Sequence, residues 1–123
     1  MPESLQPIPL AFWKSASGRE PVREWLRELP RDDKRIIGRD IAKVQFGWPV
    51  GLPLCRPLGG GLWEVRSSLP SKREARVFFG FHEGILIALH AIIKKAPNTP
   101  VEDLELAKQR LKEVQSWRRK TRT

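Results

Sequence analysis

Apolar positions along this chain change from helical spacing to alternation and back again. Val22, Trp25, Leu26 and Leu29 recur at spacings of three and four after Pro21, which suits the first turn of a helix, and Pro30 ends the run. A second helix is predicted from about Asp32 to Phe46, with Asp32 and Asp33 at its positive end and Ile37, Ile41 and Val44 along one stripe. The short break between the two predicts an antiparallel helical hairpin lying across one face of a sheet. From Leu62 to Lys95 the period is two. Trp63 and Val65 fall on one face, with Leu62, Glu64, Arg66 and Ser68 on the other; Ala75, Val77, Phe79 and Phe81 alternate with Arg76, Phe78, Gly80 and His82. Ile85 to Ile93 is rich in β-branched residues and apolar on both faces, which predicts a central strand covered on both sides.

Punctuation completes the outline. Ile8 to Trp13 reads as a strand, and Pro9 confines it to an edge or makes it begin after the proline. Phe46 to Pro53, broken by two glycines and two prolines, reads as an apolar connector that packs Trp48 and Leu52 over the end of the core. Gly59-Gly60-Gly61 permits a tight turn into the first strand of the meander. Thr99-Pro100-Val101-Glu102 reads as a cap, a first-turn proline and a capping box; Leu104, Ala107, Leu111 and Val114 then mark a helix to about Trp117. The predicted order is β-α-α-β-β-β-α: an α+β fold with a helical hairpin and a C-terminal helix on a small, twisted, mostly antiparallel sheet.

At 123 residues the chain is expected to be one domain, 1–123, with 1–7 and 118–123 as flexible ends. The single cysteine, Cys55, excludes an intramolecular disulfide framework and a cysteine-based zinc site. His82 and His90 have no second ligand at metal spacing, so no metal or other cofactor is expected, and His90 is expected to be a hydrogen-bonded core histidine. The start is unlike a signal peptide and no apolar run approaches membrane-spanning length; the expectation is a soluble, cytoplasmic protein with no membrane partner.

Charge changes the picture most. Lys and Arg number 23 against 14 Asp and Glu, a formal net of +9, and removing the four cations of Arg118 to Arg122 still leaves +5. A small domain with this excess suits an anionic partner, nucleic acid or ribonucleoprotein first and an acidic protein second. Arg66, Arg76 and Lys94 are the candidate catalytic cations: if the strands form a meander they share a face, where guanidinium forks and an ammonium hold a phosphate and neutralise a phosphoryl transition state. The bland alternative makes them solvated strand ends or partners of Glu64 and Glu74. Arg56, Lys72, Arg73 and Lys95 extend the positive track, and Trp63 is either a base-stacking platform or core. Hydride transfer and nucleotide hydrolysis lack their glycine-rich motifs.

Four segments taken in order, PVREWLRELP, DIAKVQFGWPVGLPLCRPLGGGLWEVRS, ARVFFGF and LHAIIKKAPNTPVEDLELAKQRL, resemble the phage-derived Gp49-like family, which looks like the HigB branch of the RelE/ParE toxin superfamily. The resemblance covers roughly Ile8 to Val114. It implies a RelE-like fold and a ribosome-dependent endoribonuclease toxin of a toxin-antitoxin system, an mRNA interferase needing no metal. Its substrate would be messenger RNA, its partners the ribosome and a helix-turn-helix antitoxin. By motif, Arg76 is then the phosphate-binding arginine, with Arg66 and Lys94 stabilising charge or assisting proton transfer. Two departures stand out: the chain has no tyrosine, and Glu64 stands where some relatives have a lysine. Glu64 is accordingly either a base or a carboxylate that orients Arg66. A catalytically inactive nucleic-acid- or protein-binding regulator of the same fold is the alternative, and a gyrase-directed toxin the more distant one.

Overall fold

The computed structural model describes residues 6–49, 51, 53–94 and 100–121, with side chains described as far as residue 116. Its elements are β1 (Leu10–Phe12), α1 (Pro21–Arg27), α2 (Arg31–Gly47), β2 (Cys55–Gly59), β3 (Leu62–Ser68), β4 (Glu74–His82), β5 (Ile85–Lys94) and α3 (Val101–Thr121). The strands form one open sheet in the order β1-β5-β4-β3-β2. β1 lies parallel to β5, and every other neighbouring pair is antiparallel. A helical hairpin on a small mixed sheet, with a last helix on the opposite face, is the α+β class expected from the pattern and is consistent with a RelE-like architecture.

Each face carries its own core. On one, Val22 of α1 and Ile37, Ile41 and Val44 of α2 pack on Val65, Ala75, Val77, Phe79 and Ala88. On the other, Ala107, Leu111 and Val114 of α3 pack on Leu62, Phe78, Ile87 and Leu89. β5 thus receives apolar cover on both sides, which is what its unbroken run of Ile, Leu and Ala requires. Gly80 lets α3 come close: a Cβ there would sit 2.5 Å from Leu111 Cδ1.

Three features depart from the sequence reading. Cys55–Gly59, which follows the expected connector and was assigned no element, is a fifth strand, so the order is β-α-α-β-β-β-β-α. It is an outer strand bonded on one side alone, where Pro57 withholds a donor at little cost, and a shift of register between Pro57 and Gly59 ends it. Gly59, Gly60 and Gly61, with φ of +94°, +65° and +89°, then make the turn into β3. The last helix continues beyond Trp117 to Thr121. Finally, the β4–β5 ladder contains a bulge: Phe78 pairs with His90 but Phe79 with Ala88, leaving Leu89 over. The caps expected at Thr99, the packing of Leu52 and the position of Lys95 lie outside the described residues. No described helix is long and apolar enough to cross a membrane.

Candidate functional site: a cation cluster on the β3–β5 face

Register brings the candidate cations together. Arg66 of β3 is the direct cross-strand partner of Arg76 of β4, and Glu74 of β4 lies between Ser68 of β3 and Lys94 of β5. By parity with Leu62, Phe78 and Ile92, which pack with α3, all fall on the α3 side of the sheet. Glu74 is the hub. Its Oε1 receives Lys94 Nζ at 3.1 Å and faces a terminal guanidinium nitrogen of Arg76 at 3.8 Å; its Oε2 is 3.5 Å from Arg66 Nε. Burial raises the Glu74 carboxyl's pKa, but the Lys94 hydrogen bond and the charges of Lys94, Arg66 and Arg76 overcome it and hold it below the usual carboxylate range.

Depth separates the members. Arg76 is 2% exposed and Glu64 is fully buried, their charged atoms 3.5 Å apart. Glu64 therefore orients Arg76, its diagonal neighbour across the ladder, rather than Arg66. Arg66 and Lys94 are half-buried and reach the rim. The cluster so has a buried floor, Glu64 and Arg76, and a partly exposed mouth of Arg66, Glu74 and Lys94.

The remaining candidates are dispersed. Arg56 on β2 pairs with Glu64 in register and is exposed, so it continues the same face toward the sheet edge. Lys72 is exposed in the β3–β4 turn with φ of +65°. Arg73 is committed: its terminal nitrogen donates to Asp33 Oδ2 at 3.2 Å, while Asp33 also accepts from the Ser71 hydroxyl at 2.9 Å and backbone N–H at 3.3 Å. Trp63 is on the α2 face, with its ring centroid 4.9 Å from that of Trp48, away from the cations. Phe78 shares the cation face but is wholly buried, stacked on His90 at 5.9 Å. His90 bonds Asp103 of α3 at 2.7 Å and ties that helix to β5, as expected of a core histidine. Cys55 is buried, and burial pushes its thiol pKa up to about 11, so it carries no nucleophilic thiolate at neutral pH. Among the described residues no three His, Cys, Asp or Glu side chains are grouped to hold a metal ion.

The cations pair with Glu64 and Glu74, as the alternative reading had it, and sequence reasoning passed over two further cations that the fold brings near, Arg39 and Lys43. An open groove of about 540 Å³ runs from Arg66, Ser68 and Glu74 to Arg39, Asp40 and Lys43 of α2, past Leu54. β2 begins at Cys55, opposite Val65, and the carbonyl of Leu54 just before it takes the Arg66 N–H at 3.0 Å; among the described residues no strand pairs with β3 beyond that point, which leaves room for the groove. Glu74 was legible by parity with Arg76; Arg39 and Lys43 looked like ordinary solvated helix cations.

Fold and cluster define a class: a small α+β domain presenting several cations from adjacent strands on one sheet face. The model of the family described as "Phage derived protein Gp49-like (DUF891)" matches residues 24–112, well over half the chain, and the chain belongs to that family. No curated protein matches it at a significant level.

Proposed function

We propose that this protein is a ribosome-dependent messenger-RNA endoribonuclease of the toxin type, held in check by a helix-turn-helix antitoxin. The observation that carries the reading is the convergence of Arg66, Arg76 and Lys94, from three strands, on one carboxylate within 3.8 Å. Cations held this way complement a phosphodiester whose charge grows in the transition state. The ribose 2′-oxygen attacks the adjacent phosphorus, the new O2′–P bond forms as the P–O5′ bond breaks, and a cyclic phosphate and a 5′-hydroxyl result. Arg66 and Lys94 at the mouth take the non-bridging oxygens, and in this reading the Lys94 ammonium protonates the departing O5′. Arg76 lies buried behind them and adds its charge to the field that the phosphate meets. A guanidinium is a poor base at neutral pH and Glu64 is buried, so the 2′-hydroxyl proton passes to solvent water while the ribosome supplies the in-line orientation, and Lys94 regains its proton from solvent. Family membership and the net charge of +9 support the RNA substrate.

Controlled expression followed by mapping of RNA ends on translated and untranslated transcripts tests this. New ends confined to translated messages are expected; none, with folded protein present, rejects the activity. Arg66→Ala and Lys94→Ala, at half-buried rim positions, should each lower cleavage about 100-fold while leaving the fold intact. A second reading, a non-cleaving regulator that binds nucleic acid or a protein partner, draws support from the burial of Arg76 and the pairing of each cation with a carboxylate. It predicts RNA retention without scission.

A further inference from the structure

We propose that the groove between α2 and the β3–β4 ladder is a binding site for the backbone of single-stranded RNA, in which the Glu74 carboxylate holds the place of a phosphate until one enters. The inference rests on the RNA reading above and adds to it an internal competitor and a second wall.

Glu74 is bound as an incoming oxyanion would be. Its two oxygens are contacted from three strands, by an ammonium and two guanidinium groups, at 3.1 to 3.8 Å. It stands at the mouth, with its side chain 28% exposed, and its stem leads from the first residue of β4, next to the β3–β4 turn, so it can swing without disturbing the ladder. The positive field that depresses its pKa is the field a phosphate would meet. Glu64 cannot take this part, because it is fully buried against Arg76 and fixed there.

The opposite wall supplies more cations. Arg39 and Lys43 reach Asp40 Oδ1 at 3.7 and 3.8 Å, contacts too long to be hydrogen bonds, and both side chains are more than half exposed. Turning either toward a ligand costs little. They line the groove together with Arg66, Ser68 and Glu74. A phosphate beside Arg66 and Lys94 therefore places the next stretch of backbone within the groove, toward Arg39 and Lys43. One negative charge replaces another at the mouth, so the exchange is close to balanced and free protein keeps its cations ordered without a ligand.

Fluorescence anisotropy with a short, labelled, fully 2′-O-methylated single-stranded RNA tests this without ribosomes and without scission. Glu74→Gln should bind about tenfold more tightly than the unaltered protein, the scale of one screened unit-charge interaction at contact distance. Arg39→Ala with Lys43→Ala should weaken binding and flatten the dependence of log affinity on log salt by about 0.7 per lost contact. In the unaltered protein, the Glu74 side-chain carboxyl carbon should shift in NMR spectra as the RNA saturates, a readout that serves even if Glu74→Gln misfolds. A folded Glu74→Gln variant with unchanged or weaker affinity overturns the proposal, as does a carboxyl resonance that stays put at saturation. Tighter binding by Glu74→Gln in a protein that makes no RNA ends keeps this inference and removes the enzyme. Translation-dependent ends from a protein whose Glu74 resonance never moves do the reverse.

Discussion

Arg76 shows how far a single residue can be read. Alternation within each strand, joined to the expectation of a meander, puts Arg66 and Arg76 on one face and Trp63 and Val65 on the other, as observed. Depth is another matter, because nothing in the run EARVFFGFH separates an arginine at a rim from one sealed in the core. The difference comes from Glu64, which lies two residues from Arg66 in sequence yet serves Arg76 across the ladder. Arg76→Ala should therefore destabilise the protein by about 3–5 kcal/mol, since it strands a buried carboxylate. Urea denaturation checks this, and Glu64→Leu with Arg76→Met should recover most of the loss, because removing both charges abolishes the desolvation problem. Loss of cleavage in Arg76→Ala alone then says little about chemistry; Arg76→Lys, which keeps the charge and loses the fork, is the cleaner probe.

Between elements, two joints hold the layers. At the first, Asp33 near the start of α2 takes the Ser71 hydroxyl, the Ser71 N–H and the Arg73 guanidinium, fastening the helical hairpin to the β3–β4 turn. Burial opposes its charge, but those bonds prevail and lower its pKa; Glu74 is likewise lowered. Groups whose folded pKa lies below the unfolded value release protons on folding, so stability rises with pH through their range. Their contribution is complete above about pH 5 and is lost as pH falls through about 4 toward the folded values. Thermal midpoints measured from about pH 6 to 3 should fall with acid, and Asp33→Asn should lower the neutral midpoint and flatten the acid decline. At the second joint, Leu111 presses on Gly80 and anchors α3. Leu111→Ala should cost about 2–5 kcal/mol by chemical denaturation, as for other large-to-small changes in a core.

These element-level facts were unevenly legible. The stripe Leu104, Ala107, Leu111, Val114 declared its buried face, and so did Ile37, Ile41 and Val44. β2 did not, because CRPLG has a proline, a terminal glycine and no alternation; it is a strand only because β3 offers it an edge. Glu74 was legible as a partner of the cations, but the register that delivers Lys94 to it was not. It depends on the bulge at Leu89, and without that extra residue the pairing beyond Phe78 would slip and Lys94 would miss its partner.

At the scale of the whole molecule, a net charge of +9 should make any RNA affinity strongly salt-dependent, with log affinity falling by about 0.7 per phosphate contact for each unit of log salt. Titrations of short single-stranded RNA across salt concentrations measure that slope, and a flat response would remove nucleic acid as the partner. At the outer edges of the sheet β1 is three residues long and β2 carries Arg56 and Pro57, features that discourage another chain from adding on.

The sheet order has a consequence for synthesis. The N-terminal strand β1 lies against β5, made from residues 85–94, so the beginning of the chain waits for its last third before it can join. The cation cluster waits too, because Lys94 is the final residue of that strand. A copy abandoned partway through translation has neither the closing strand nor the third cation, so the cluster exists only in chains translated as far as residue 94.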